Sequence, residues 1–386
     1  MSPWAAQFAA ARSQTDKLFS LLDPAALYDR PVAERHRIIF YLGHLEAFDW
    51  NLLLRYKLDQ PSFHPTFDKL FAFGIDPEPG RAPADRPLDW PLEREVREYG
   101  SRVRQHVDEN IADLPEQLLH VAIEHRLMHA ETLVYLFHNL PYEAKRGPSP
   151  AVTSRPVISG NPMIEIPAGT AVLGRPRGDG FGWDNEFDRH AVDVPAFRIS
   201  KFKITNGEYL KHVREGAAAP NFWVERNGHW FLRAMFREIP LPLDWPVYVS
   251  HAEATAYAKA RGGSLPTEEQ FHIAAQGSIA VNADFDGWDP APVDTGIPGS
   301  HGAFQMLGNG WEWTSTVFGP FPGFEKFPFY PGYSADFFDG KHFVLKGASP
   351  RTAACFLRPS FRNWFRPDYQ YLYAGFRITS KTAENP

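Results

Sequence analysis

The stretch "AIEHRLMHAETLVYLFHNLP", residues 122–141, decides the reading of the N-terminal third of the chain. It is apolar on most sides, lacks internal Gly or Pro, and stops at Pro141, which is the pattern of a buried helix. Its two histidines, His125 and His129, lie four positions apart and so share one helical face. Two readings fit that pair alone: neighbouring ligands of one ion, or ordinary histidines in a helical bundle. Working outward, residues 1–140 carry helical periodicity in four blocks, about 3–22, 31–58, 92–113 and 115–139. Between the second and third blocks runs the Pro/Gly-rich connection "SFHPTFDKLFAFGIDPEPGRAPADRPLDWP", residues 62–91. Its aromatics, Phe63, Phe67, Phe71 and Phe73, imply that it packs against something. Four helices with one long crossover read as a four-helix bundle.

After the bundle, "YEAKRGPSPAVTSRPVISGNP" (142–162) has the composition of a linker. The texture then changes to short strand-like runs: "MIEIPAGTAVLG" (163–174), "HAVDVPAFRISKFKIT" (190–205) and "FVLKGAS" (343–349). Two helical runs interrupt them, opened by the N-cap candidates Thr205 and Ser250. The expected organisation is a multidomain α+β protein: a helical bundle over 1–142, a linker over 143–160 and an α+β domain over 161–382.

The 386 residues exceed an ordinary single domain, and 44% hydrophobic with 22% charged residues is the composition of a globular protein. A net charge of −6 with mixed signs points to no nucleic-acid partner. The 15% aromatic content, 35 Pro and 29 Gly suggest a loop-rich C-terminal half held by large side chains. One cysteine, Cys355, excludes an internal disulfide and any CxxC motif. The N-terminal segment carries Gln7 and Arg12 within its apolar pattern, which is that of an amphipathic helix rather than a signal peptide. No apolar run reaches the ~20 residues that span a bilayer. A cytoplasmic location, away from membranes, is the default expectation.

A third histidine, His44, lies in "YLGHLEAFDWN" (41–51) among Phe40, Leu42 and Leu45, on an apolar face expected to point inward. Bundles build metal sites from inward side chains of facing helices, and Gly43 would let a neighbouring element approach closely. A satisfied core histidine is the alternative. Three neutral imidazoles would leave a divalent metal its full charge and a vacant face, an arrangement suited to catalysis.

Together with "FGWDNEFDRH" (181–190), "GGSLPTEEQF" (262–271), "LGNGWEWTST" (307–316) and "PSFRNWFRPDYQYLYAGFRI" (359–378), these segments resemble the ergothioneine-type sulfoxide synthases over almost the whole chain. That family joins a DinB-like four-helix bundle to a domain with the fold of formylglycine-generating enzyme, a C-type-lectin-like α+β variant. The resemblance implies that His44, His125 and His129 are iron(II) ligands. It implies an O2-dependent enzyme that joins a thiol to C2 of the hercynine imidazole and oxidises the sulfur to the sulfoxide, with hercynine and the thiol as its small-molecule partners. "RNWF" resembles the segment lining the hercynine pocket, which puts Asn363, Trp364 and Phe365 at the substrate. Aromatic rings suit a quaternary ammonium, and an Asn amide can bind a carboxylate. Trp311 and Trp313 are expected in the core with Glu312 in a buried polar network. Asp184, Asn185, Glu186 and Asp188 could hold a structural calcium.

The chain departs from the family pattern in several places. Formylglycine-generating enzyme binds copper through two cysteines, whereas "KGASPRTAACFLRPSFRN" (346–363) has Cys355 alone, read as a small buried residue. The loop after "WEWT" carries a catalytic tyrosine in many members, but "STVFGPFPGF" (315–324) offers Phe318 and Phe321, and a phenyl ring transfers no proton. Phe71 and Phe73 stand in the long connection, where one subgroup takes its tyrosines. Tyr41 and Tyr371 are the proton-donor candidates, with Tyr369 and Tyr373 behind them. The arginine expected to clamp a γ-glutamyl donor is matched by neutral Gln370, with Arg366, Arg362, Arg81 and Arg86 as substitutes, which favours free cysteine over γ-glutamylcysteine. Met128 replaces a residue that is often polar. Alternatives on the same residues are selenoneine- or ovothiol-type synthesis, a thiol dioxygenase, a zinc-dependent DinB-like thiol transferase, and a lectin-like binding module with structural histidines.

Overall fold

The computed structural model describes residues 3–73, 84–148 and 160–382. Two compact units divide the chain, Met1–Ser149 and Pro150–Pro386.

The first unit is helical. Helices α1 (Pro3–Phe19), α2 (Ile38–Asp49), α3 (Pro65–Phe73), α4 (Glu93–Asn110) and α5 (Glu116–His138) are its main elements. The expected second block starts later than its periodicity suggests, at Ile38, because Arg37 is tied down in extended backbone. Its guanidinium donates to the Tyr28 carbonyl at 2.6 Å and to the Asp85 carboxylate at 2.8 Å. Beyond Asp49 the helix widens into a π-helix, Trp50–Lys57. The long connection is not structureless: it folds into α3, where Phe67 and Phe71 are buried. Trp50, Ser62 and Tyr99 all donate to the buried Asp68 carboxylate, which pins α3 to its neighbours. Arg81 lies outside the described residues.

Helix α4 is amphipathic, burying Val96, Tyr99, Val103 and Val107 at helical spacing, and the Glu95 carboxylate satisfies the Leu92 N–H at its start. Helix α5 is buried along most of its length and packs on α1 and α2. Ion pairs cross this bundle: Arg126 of α5 meets Glu46 and Asp49 of α2, Arg104 of α4 meets Glu46 and Asp16, and Arg12 of α1 meets Asp108.

The second unit is sheet-rich and loop-rich. Antiparallel β1 (Met163–Ile166), β4 (Phe197–Ser200) and β12 (Thr379–Lys381) form one sheet, and β2 (Gly169–Leu173) pairs with β3 (His190–Val194). Three further strands, β5 (Trp223–Arg226), β6 (His229–Arg233) and β7 (Glu238–Pro240), form a meander. A four-stranded sheet holds β8 (Gly310–Val317), β9 (Phe343–Ala348), β10 (Asn363–Phe365) and β11 (Ala374–Gly375) in the order β10-β9-β8-β11. Helices α6 (Asn206–Arg214), α7 (His251–Ala260) and α8 (Glu268–Ala274) begin with capping boxes from Thr205, Ser250 and Thr267. Gly347 sits at φ +90 opposite Trp311, where a Cβ would lie 2.9 Å from the Met306 carbonyl.

Large side chains do hold this domain: Trp311 and Trp313 are buried, and the Trp313 indole donates to the Val249 carbonyl. Buried ion pairs share that task. Glu312 is clamped by Lys203 at 2.5 Å and by Arg377 at 3.0 Å, and all three side chains are fully buried. Glu268 is gripped by Arg362, and Glu186 by Arg358 and Ser360. Cys355 is half-buried rather than buried, because the short turn Ala354–Leu357 spends its inward position on Phe356.

Candidate metal centre

Helix α2 supplies His44 and helix α5 supplies His125 and His129, one turn apart as their spacing requires. Their nitrogen ligand atoms all lie within 4.8 Å of one another. The ring centroids are 5.1 Å apart for His44 and His125, 4.9 Å for His44 and His129, and 4.5 Å for His125 and His129.

Each imidazole is backed by an aromatic ring. Phe40 stacks on His44 at 4.8 Å, Phe48 lies over His125 at 3.5 Å and 10° from parallel, and Tyr41 stands 5.7 Å from His129. The Phe71 carbonyl at the end of α3 lies 2.6 Å from His44 Nδ1. A carbonyl only accepts, so Nδ1 carries the proton and Nε2 keeps its lone pair for a ligand role. Gly43 makes that contact possible, since a Cβ there would lie 2.4 Å from the Phe71 ring.

Burial holds all three histidines neutral, pushing His44 down to about 4 and His125 and His129 well below their ordinary value. The buried Nδ1 of His129 has no hydrogen-bond partner among the described residues. Leaving such an atom unsatisfied costs about 1–3 kcal/mol. Three converging neutral imidazoles, one with an orphaned nitrogen, are the donor set that a borderline divalent transition metal satisfies. The residues present therefore fit a metal.

The Ca²⁺ expectation is not supported. The Asp184 carboxylate accepts from Ser334 at 2.6 Å, Glu186 is consumed by Arg358 and Ser360, and Asp188 pairs with Arg177 at 2.9 Å. Among the described residues, the convergent group of three or more His, Cys, Asp or Glu is the histidine triad.

The remaining site candidates scatter. Tyr41 is buried in α2, and burial pushes its phenol up to about 12. Tyr371 is half-buried in the second domain, edge-on to Tyr369 at 5.3 Å. Residues Asn363, Trp364 and Phe365 form β10, paired with Leu345, Val344 and Phe343 of β9. Strand alternation puts Trp364 on the face opposite Asn363 and Phe365, so the strand does not present all three side chains together. Trp364 stacks on Phe318 at 4.2 Å, 6° from parallel, and Phe365 stacks on Tyr369 at 5.0 Å. The Asn363 amide oxygen accepts from the Trp364 N–H at 2.9 Å. Arg366 and Gln370 are exposed, Arg86 is paired with Asp89, and Arg362 is committed to Glu268. The last is a correction: a guanidinium sealed in a buried ion pair is not available to clamp a substrate carboxylate.

Sequence reasoning did not single out Tyr333, whose ring meets Trp364 at 5.4 Å. It comes from a long segment with little regular structure, where no periodicity marks it. Glu46, Asp49 and Arg126 were also passed over, although three charges inside apolar helices are a visible anomaly.

Fold and triad together define a two-domain protein in which a DinB bundle carries a candidate metal centre. A DinB superfamily model matches residues 7–138, and a sulfatase-modifying factor enzyme 1-like domain model matches residues 148–289 and 282–382. The hercynine oxygenase of Mycolicibacterium smegmatis is 31% identical over 96% of this chain and 97% of its own length. That of Mycobacterium tuberculosis is 34% identical over 73% of this chain and 77% of its own. Ergothioneine biosynthesis protein 1 of Schizosaccharomyces pombe is 28% identical over 93% of this chain. The chain spans about half the length of that fungal relative and of its Neurospora crassa counterpart, 53% and 55%. The chain therefore belongs to the hercynine oxygenase family, the ergothioneine-type synthases built from a DinB-like bundle and a formylglycine-generating-enzyme-like domain. No helix among the described residues is long and apolar enough to cross a membrane.

Proposed function

We propose that the protein is an O2-dependent iron(II) enzyme of ergothioneine biosynthesis that couples a thiol to hercynine. The observation that carries this reading is the convergence of His44, His125 and His129 as neutral bases inside the bundle. The identity to hercynine oxygenases over nearly the full length of one of them supports it.

The balanced reaction breaks the thiol S–H and the imidazole C2–H, forms C2–S, leaves one oxygen atom of O2 on sulfur and releases the other as water. Iron held by the three histidines would supply adjacent open positions and the redox capacity for O2. The chain's own residues have separate tasks. Phe40, Phe48 and the Phe71 carbonyl hold the imidazoles in place. Trp364 offers a ring face suited to a trimethylammonium group. Tyr41 retains its proton at ordinary pH and lies beside His129, which makes it the proton donor favoured over Tyr371. Cysteine is favoured over γ-glutamylcysteine as donor, because Gln370 is neutral and Arg362 is already paired.

The test incubates iron-loaded protein with hercynine, O2 and a panel of thiols, with mass spectrometry as readout. A C–S adduct carrying one added oxygen is expected with cysteine. No adduct with any donor despite bound iron, or full activity with zinc and without O2, would overturn the reading. In Tyr41→Phe the product should shift from sulfoxide toward sulfinate of the thiol alone.

A further inference from the structure

The charge cluster beside the triad does more than join helices. Arg126 directly follows His125, and its guanidinium reaches α2 at three points. It donates to the Leu45 carbonyl at 3.0 Å, to Glu46 at 2.9 and 3.0 Å, and to Asp49 at 2.8 Å. Leu45 directly follows His44. One side chain therefore grips the backbone beside the ligand on α2 while its own Cα lies beside a ligand on α5. The three charged residues are 1%, 4% and 0% exposed for Arg126, Glu46 and Asp49, so water screens little of their field. Arg104 caps the outer side of Glu46 and also pairs with Asp16.

That arrangement has an electrostatic sign. Arg126 is buried on the same helix as two of the three imidazoles and directly follows one of them, so its positive charge reaches the triad with little solvent screening. The same field would oppose a divalent cation bound by them. Two carboxylates sit directly on the guanidinium and outweigh its charge. We infer that the Arg126–Glu46–Asp49 cluster is the cation-retention device of the triad, in which Arg126 sets the spacing of the two ligand-bearing helices and the two carboxylates mask its charge from the bound ion. This inference rests on the metal reading of the triad and adds positioning residues to it.

Co(II) is the probe, because its visible absorption reports ligand geometry and chelator competition reports its affinity without any turnover. In the full chain, Glu46→Gln is expected to weaken Co(II) binding by 10–100-fold, the usual range for groups behind metal ligands. Asp49→Asn should act in the same direction, and serves if Glu46→Gln does not fold. The decisive variant is Glu46→Gln combined with Arg126→Met. Removing the cation, which then keeps Asp49 as its one carboxylate, should restore affinity toward wild type, whereas a purely structural role leaves the double variant as weak as the single one or weaker. Arg97→Gln, which removes an exposed ion pair with Glu93 on α4, should leave Co(II) affinity unchanged. Unchanged affinity in Glu46→Gln and Asp49→Asn, or no recovery in the double variant, overturns the inference. A wild-type chain that takes up no Co(II) or Fe(II) would instead overturn the metal reading beneath it.

Discussion

The histidine triad of the bundle and the Glu312–Lys203–Arg377 cluster of the second domain are both buried polar triplets, yet they are chemically opposite. Within the second-domain cluster every charge meets a counter-charge at hydrogen-bond distance: Lys203 also donates to the Gln305 carbonyl, and Arg377 to the Ser200 and Lys201 carbonyls. Its bonding capacity is used up internally, which makes it scaffold. In the bundle three neutral bases point at one another, and the orphaned His129 nitrogen leaves bonding capacity unspent. Burial of polar groups therefore marks a site only where their partners are missing from the chain itself.

The largest expected effect breaks the scaffold side of this comparison. Lys203→Met leaves Glu312 with Arg377 alone, and breaking a buried ion pair costs roughly 3–5 kcal/mol. The second domain should lose a large part of its cooperative unfolding transition by calorimetry. His125→Ala should instead leave a folded bundle by circular dichroism while abolishing metal retention after dialysis. If both variants merely unfold, the contrast between scaffold and site fails.

A second test uses a buried histidine that is not part of the triad. His251 is neutral, lies over Phe343 at 3.8 Å and has its Nε2 on the Thr314 carbonyl; burial lowers it from 6.5 to about 4. Between those values the unfolded chain binds a proton that the folded one refuses. Its contribution is therefore intact above about pH 6.5 and falls as pH drops toward 4, by up to about 3 kcal/mol. Urea unfolding of wild type and His251→Gln over that range should show the wild-type slope reduced in the variant. An unchanged slope would assign the acid sensitivity to other groups.

Gly43→Ala sharpens the site side. The added methyl would meet the Phe71 ring at 2.4 Å, and overpacking of this kind costs about 1–3 kcal/mol. Because the same residue's carbonyl orients His44, metal affinity should fall along with stability. The smallest effect is expected for Trp364→Ala, where loss of a cation–π face worth about 0.5–2 kcal/mol should raise KM for hercynine several-fold with little change in kcat. An unchanged KM would leave Trp364 as a structural partner of Phe318.

Much of this was visible in the sequence, and the particular residues explain which parts. His125 and His129 were legible as a pair because helical spacing alone puts them on one face. His44 was legible from its apolar setting and from the family resemblance, since its meeting with α5 depends on tertiary packing. The strand runs and the caps at Thr205 and Ser250 follow local rules and appear where the sequence places them. Helix α3 was hidden by the Pro and Gly around it, although Phe63, Phe67 and Phe71 keep helical spacing. Arg126 bonds partners 77 and 80 residues away, a range at which no periodicity speaks. The opposite facing of Trp364 within its motif needed the register of β10 on β9.

One small feature bears on how such a two-part chain can change over time. The buried Lys145 ammonium donates to the carbonyls of Phe137, His138 and Leu140, closing the end of α5 with a side chain from the same unit. The backbone around it zips onto the segment after α1, through Asp23 to Ala144 and Arg146 to Leu21. The helix bearing two of the three histidines is thereby finished before the joint begins. Changes in length beyond Arg146 therefore leave the closure of α5, and with it the placement of His125 and His129, untouched.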